Sequence, residues 1–275
     1  MGTGRQGASP CDRGKEVTVM TIGDMAGFGT LLGIWAHPDD EVHLSAGLMA
    51  SARDAGQRVV CVTATLGEHG TSDPGQWPPA RLAEVRAAEL SASLAVIGVS
   101  EHHQLGLPDG GCADQPFDAV VDKLAAIIDE VRPDTIVTFG PDGFTGHSDH
   151  QTVSHWATEA RSRTAPAARL LYATTTAEQI DAWQHVYDRL NVFLADGLPL
   201  RIPSSTVDVQ LRLGEDLADR KLAALRAQAS QTADLIAMLG EDTMRRWCCS
   251  TESFIDAESA ATNATWGTWR PPGNP

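Results

Sequence analysis

Between an apolar run at residues 30–36 and an amphipathic one at 42–55, the chain places His37-Pro38-Asp39-Asp40-Glu41. The first run predicts a buried strand and the second a helix, so an imidazole and three acids stand at a strand-to-helix turn. In an open α/β sheet such turns project into the crevice beyond the carboxyl ends of the strands, where ligands bind. Adjacent carboxylates repel one another unless something positive sits among them. A metal ion meets that requirement. A second cluster, Gly146-His147-Ser148-Asp149-His150, follows another apolar run, Thr135–Phe139, and opens another helical stretch at 149–161. Two ligands from the first turn and one imidazole from the second give a mixed nitrogen and oxygen site with a vacant fourth position, the pattern of a catalytic zinc centre.

The alternation continues along the chain. Residues 58–64 form a second apolar strand, and Leu82, Val85, Leu90, Leu94 and Ile97 recur at helical spacing before Gly98. A short strand at 102–106, a helix at Phe117–Val131 closed by Pro133 and the strand Thr135–Phe139 complete a βαβα order. That order implies α/β architecture: a mainly parallel sheet with helices on both faces. Further on, the pattern predicts a strand at Arg169–Thr174, a helix at Ala177–Leu190, a strand at 206–213 and one long helix at 215–238. No Gly-x-Gly-x-x-Gly follows the first strand and no Walker loop occurs, which removes the main support for nucleotide binding.

Residues 1–28, rich in Gly, Ser, Asp and Pro, suit a flexible extension, and residues 261–275 suit a loose tail that Trp266 and Trp269 could pin. With no repeat or clear linker between, 29–260 reads as a single domain. The formal charge of −15 argues against a nucleic-acid partner, because phosphate backbones are bound by clustered Lys and Arg. No run has the length of a membrane span and no signal peptide is visible, so the expectation is a cytoplasmic enzyme of a small molecule, with oligomeric state left open and a homo-oligomer allowed. Cys11, Cys61, Cys112, Cys248 and Cys249 are odd in number and lack CxxC spacing, so they read as buried thiols, the vicinal pair included. His43, His155 and His185 fall in helices and read as surface or core histidines.

Taken together, His37-Pro38-Asp39-Asp40-Glu41 and Gly146-His147-x-Asp149-His150 resemble the PIG-L/LmbE family of metal-dependent de-N-acetylases, which act on N-acetylglucosamine-type sugars and related amides. The likeness covers about residues 31–255 and takes in Thr65-Leu66-Gly67-Glu68, Arg86-x-x-Glu89, Leu107-Pro108-Asp109-Gly110, Lys221 and Ser230-Gln231. It implies a Rossmann-like, LmbE-like sheet and a division of roles. His37, Asp40 and His150 hold the metal, Zn2+ or Fe2+, since two imidazoles and a carboxylate suit both. The ion would activate water and polarise the acetyl carbonyl. Asp39, off the metal, is the expected general base and returns the proton to the leaving amine. His147 is expected to be protonated and to stabilise the oxyanion, with Asp149 raising its pKa and fixing its ring.

By the same resemblance Arg86 and Asp109 match positions that hold sugar hydroxyls or a nearby polar group. The plainer readings are a helix-surface Arg86–Glu89 pair and turn chemistry for Asp109. Glu41 either orients a metal ligand or favours the helix N-terminus. Two departures stand out. Thr145 occupies the place of a tyrosine in family members acting on the mycothiol precursor, which argues against that substrate, and Gln228 replaces a histidine often found before the Ser-Gln pair. The expected reaction is hydrolysis of the acetamide of an N-acetylglucosamine-type sugar. The alternatives are an amidase releasing a larger acyl group and a non-catalytic metal- or sugar-binding module.

Overall fold

The computed structural model describes residues 19–20, 27–263 and 265–266. An eight-stranded sheet organises it, in the order β1-β7-β8-β6-β5-β2-β3-β4. The strands are β1 (Val19–Met20), β2 (Leu31–Trp35), β3 (Val59–Thr65), β4 (Glu101–Leu107), β5 (Thr135–Phe139), β6 (Arg169–Thr174), β7 (Val209–Arg212) and β8 (Thr251–Asp256). Every residue of β2, β3 and β5 is buried, as expected of parallel strands covered on both faces.

The helices are α1 (Asp40–Asp54), α2 (Pro79–Val96), α3 (Phe117–Val131), α4 (Ser148–Thr164), α5 (Ala177–Leu190), α6 (Glu215–Ala227), α7 (Ala229–Leu239), α8 (Glu241–Cys248) and α9 (Ala257–Thr262). From β2 the chain passes through α1 to β3 on one side. From β5, the parallel neighbour of β2 on the other side, it passes through α4 to β6. Right-handed crossovers in opposite directions put α1 and α4 on opposite faces. In agreement, α6 packs on α1 and α2, whereas α3 packs on α4. The gap between the carboxyl ends of β2 and β5 is therefore the switch point of the sheet, where open α/β folds bind ligands. No helix of the described residues is long and apolar enough to cross a membrane.

Two expectations change, and the two end segments gain detail. The long helix predicted at 215–238 breaks at Gln228 (φ −89°, ψ 44°), whose buried side-chain amide donates to Glu41 Oε1 at 3.0 Å. The strand β8 is absent from the pattern because Glu252, its second residue, breaks the apolar run; it pairs antiparallel with both β6 and β7. Residues 1–18 and 21–26 of the supposed loose extension lie outside the described residues, but Val19–Met20 pair with β7 and Phe28 is buried in the core. In the tail Trp266 is buried against Tyr172, with ring centroids 5.6 Å apart, whereas Trp269 lies outside the described residues.

Glu252 explains how β8 and α1 are joined. Its carboxylate accepts from Lys221 Nζ at 2.7 Å and from the backbone N–H groups of Gly47 and Leu48 at 2.8 and 2.9 Å. Lys221 Nζ also donates to His43 O at 2.8 Å. A Cβ on Gly47 would stand 2.3 Å from Leu213 Cδ2 and 3.1 Å from Glu252 Oε2, so any larger residue there must displace the Leu213 side chain. Both ions are 1% exposed, and removing one leaves the other charged, buried and unpaired. Lys221→Met should lower the free energy of unfolding by about 3–5 kcal/mol in urea titrations, with most of the loss recovered in Lys221→Met/Glu252→Leu. A double variant as unstable as the single one would contradict this role.

Candidate metal centre and active site

The turn after β2 and the loop 140–147 after β5 converge at the switch point. His37 Nδ1 lies 3.2 Å from His150 Nε2 and 3.6 Å from Asp40 Oδ2, and His150 Nε2 lies 3.4 Å from Asp40 Oδ1. Tetrahedral ligands held about 2.0–2.1 Å from one ion stand roughly 3.3 Å apart, so this triangle has the dimensions of a shared cation. The three predicted ligands are brought together. His147 also lies within reach, its donor atom within 4.8 Å of those of His37 and His150.

Each ring is oriented through its other nitrogen. His150 Nδ1 faces Gly143 O at 3.0 Å and Thr145 Oγ1 at 3.3 Å, while the ring stacks on Phe139 at 4.1 Å. With Nδ1–H donating to that carbonyl, Nε2 is free to bind an ion. Burial, followed by the charge of His37, holds the His150 pKa well below the usual imidazole range, which keeps the ring neutral as a ligand must be. His37 Nε2 faces Asp109 Oδ1 at 3.1 Å and Asp149 Oδ2 at 3.2 Å. Burial alone would lower the His37 pKa, but these two hydrogen bonds and the charge of Asp40 lift it to about 10.

Asp109 and Asp149 form a second grouping with His37, but both are already committed. Asp109 Oδ2 accepts from His69 N–H at 2.8 Å, and Asp149 accepts from Gly110 N–H at 2.8 Å and Cys112 N–H at 3.1 Å. They serve to fix His37. The Asp109 side chain, 9% exposed, turns inward to the His37 ring, a nearby polar group of the kind the resemblance allowed for beside sugar hydroxyls. Burial opposes its ionisation, but His37 outweighs it and brings the pKa down to about 2.

Arg86 likewise engages a nearby polar group. It is 3% exposed, donates to Gly67 O at 2.8 Å and to Pro38 O, and pairs with Asp39 Oδ2 at 3.3 Å. Glu89 turns away from it, to the N–H and hydroxyl of Ser230 at 2.8 and 2.6 Å. The side chain reaches Asp39 only because Gly67 has no Cβ, which would fall 2.2 Å from Arg86 Nη1.

Asp39 itself has φ 108° and ψ −25°, a left-handed conformation that costs a non-glycine residue energy and is retained where neighbours enforce it. Those neighbours are Arg86 and Glu41, whose Oε2 accepts from Asp39 N–H at 3.0 Å. Glu41, fully buried, lies in the first turn of α1 and accepts from the N–H of its N-cap residue. It braces the turn, held by Gln228 on its far side, and burial followed by repulsion from Asp39 raises its pKa to about 8. The Asp39 carboxylate points away from Asp40 toward Arg86 and remains 19% exposed, so it can be approached from the crevice.

His147 caps α4, its Nδ1 accepting from Asp149 N–H at 3.2 Å. The expected Asp149 carboxylate partner is therefore replaced by the Asp149 backbone, since a helix N-terminus needs acceptors for its free N–H groups. An unprotonated Nδ1 leaves the ring proton on Nε2. Burial, then the charge of His37, lowers the His147 pKa, while Asp149 acts in the opposite direction as the resemblance implies.

A cavity of about 410 Å³ opens beside Asp40 and His150 and runs between Phe144, Tyr187, Leu235 and Trp247. His43, expected to be structural, lines it, as do Thr145 and Gln231. One further buried acid was not anticipated. Asp142, in the loop leading to His147, is 5% exposed, and its Oδ1 has no hydrogen-bond partner among the described residues. Burial pushes its pKa from 3.8 to about 7. A folded pKa above the unfolded one means that stability falls as pH rises between those two values. Asp142→Asn, compared with the native chain in urea titrations, should gain relative stability between pH 4 and 7 and hold a constant gain above. A gain independent of pH would contradict the buried-acid reading.

Residues 32–161 match the family profile described as PIG-L, GlcNAc-PI de-N-acetylase. A 1D-myo-inositol 2-acetamido-2-deoxy-alpha-D-glucopyranoside deacetylase from Saccharomonospora viridis is 32% identical over 231 residues, spanning 73% of this chain and 84% of that one. Among solved structures, the N,N'-diacetylchitobiose deacetylase of Pyrococcus horikoshii is similar with a TM-score of 0.61 at 21% identity, covering 89% of each chain. The 4-carboxy-2-hydroxymuconate hydratase GalB of Pseudomonas putida is similar with a TM-score of 0.58 at 17% identity, covering 83% of this chain and 96% of that one. A deacetylase and a hydratase on one backbone show that the fold alone does not choose the reaction. The resemblance in sequence over most of both chains does choose the lineage: this chain belongs to the PIG-L family of de-N-acetylases.

Proposed function

We propose that the protein hydrolyses the acetamide of an N-acetylglucosamine-type sugar or glycoconjugate, giving the free amine and acetate, and that it does so in the cytoplasm. The observation that carries this reading is the strained Asp39 beside the His37, Asp40 and His150 triangle at the mouth of a cavity. A module that merely gripped a metal would have no use for that strain. The donor set fits a divalent ion, zinc or ferrous iron, with one position left for substrate or water. When bound, such an ion supplies Lewis acidity toward the acetyl carbonyl and toward water.

The remaining work falls to the chain's own groups. Asp39, oriented by Arg86 and Glu41, accepts the proton of the attacking water and later delivers it to the departing amine. His147 Nε2–H donates to the oxygen on which negative charge develops. Asp109 and Asp149 keep His37 turned with Nδ1 toward the crevice. Water adds its hydroxyl to the carbonyl carbon, the carbon–nitrogen bond breaks, and the proton held on Asp39 goes to nitrogen.

The walls of the cavity favour a second reading of the same site. Tyr187, Leu190, Leu235 and Trp247 offer more apolar surface than an acetyl group needs, which suits an amidase releasing a larger acyl chain. Acetate release compared with fatty-acid release from matched glucosamides distinguishes the two.

Free-amine assays on N-acetylglucosamine conjugates, run beside metal analysis, test the assignment. Asp39→Asn should keep its metal while losing on the order of a hundredfold or more in rate. His150→Ala should lose both metal and activity, and Asp109→Asn should weaken metal affinity roughly 10–100-fold. Failure of every conjugate to yield amine at full metal loading, or unchanged turnover in Asp39→Asn, would refute the mechanism.

A further inference from the structure

One nucleophile in the cavity wall has no part in this chemistry. Cys248, the last residue of α8, lines the cavity, and its Sγ lies 3.5 Å from Nδ1 of His43 on α1. The other described thiols differ: Cys61, Cys112 and Cys249 are fully buried, whereas Cys248 is half-buried. Its surroundings also favour the anion. A hydrogen bond from Cys249, then the Lys221 ammonium and His43, hold the Cys248 thiol well below its ordinary range against the effect of burial. Lys221 cannot swing away, because Glu252 and His43 O bind it on both sides. Thiolates paired with an imidazole in an accessible, electropositive niche are the reactive ones.

We propose that Cys248, hydrogen-bonded to His43 in the wall of the catalytic cavity, is a modification site that takes a small neutral disulfide and, once modified, blocks the cavity. Two features select the ligand. Among the described residues the cavity is lined by the carboxylates of Asp40 and Glu252 and by no Lys or Arg side chain, which disfavours an anionic disulfide, while Trp247, Tyr187 and Leu235 provide apolar contact for an uncharged one. In the exchange the thiol proton passes to His43 Nδ1, Cys248 Sγ attacks one sulfur of the disulfide, and the S–S bond of the reagent breaks. A new mixed disulfide forms on Cys248 and the second half of the reagent leaves as its thiolate, so no outside oxidant is required.

The blocking arm rests on the proposed amide hydrolysis; the reactivity arm does not. The full chain treated with 4,4′-dithiodipyridine, with thione release followed by absorbance and the modified cysteine mapped by peptide mass, tests both. Cys248 should react about tenfold or more faster than Cys61, Cys112 and Cys249. His43→Gln should slow that phase about tenfold while the folded melting transition is retained, and Cys248→Ser should abolish it. Modified enzyme should lose hydrolysis and regain it with dithiothreitol. Reaction at Cys248 no faster than at the buried thiols, or no slowing in His43→Gln, would overturn the reactive pair. Full hydrolysis with Cys248 fully modified would overturn the block. An unmodified enzyme without hydrolysis would instead refute the function proposed above and leave the mapped reactivity standing.

Discussion

Asp40, Asp109 and Asp149 are gathered around one imidazole, with Asp39 next in the chain, and so many carboxylates in a buried crevice hold together only with positive charge among them. Every neighbouring feature supplies or anchors that charge. His37 stands at the centre and uses both ring nitrogens, one toward Asp109 and Asp149, the other toward Asp40 and His150. Arg86 supplies a fixed cation to Asp39 from below the turn. A divalent ion in the donor triangle would take over from the His37 proton, and it would relieve the carboxylates more fully because it carries two charges.

The sheet makes this crowding affordable by splitting the donors between segments that are rigid for other reasons. β2 and β5 are neighbours, fully buried, and both end at the switch point, so His37 and His150 approach from opposite sides. α1 is pinned along its length by the Lys221–Glu252 pair reaching from α6 and β8, and its first turn is braced by Gln228 through Glu41. The strain at Asp39 is thus borne by contacts made far along the chain, between residues separated by up to 205 positions. Losing any of those contacts should loosen the turn before it unfolds the sheet.

Much of this was legible in the sequence, for identifiable reasons. Strands β2, β3 and β5 are uninterrupted apolar runs because both faces are covered, and the polar clusters directly after two of them located the site. The two motifs and the rule for strand ends located the cluster, and the family resemblance singled out His37, Asp40 and His150 within it. What stayed hidden depends on tertiary placement. Asp109 and Arg86 carry chemistry that suits a substrate, and nothing in their local sequence says that one turns to His37 and the other to Asp39. β8 was missed because Glu252 looks like a surface residue until Lys221 is brought beside it. The break at Gln228 was missed because its cause, a buried carboxylate on Glu41, lies 187 positions away. For His147 the resemblance implied a carboxylate partner, whereas the helix N-terminus it caps claims its Nδ1.

A crystal structure of the metal-loaded protein, with anomalous differences collected at the metal edge, tests the central claim most directly. One peak should lie about 2.0–2.2 Å from His37 Nδ1, His150 Nε2 and an Asp40 oxygen, with Asp39 and His147 outside that distance. A peak bound instead through His37 Nε2 between Asp109 and Asp149, or one lacking either imidazole, would contradict it.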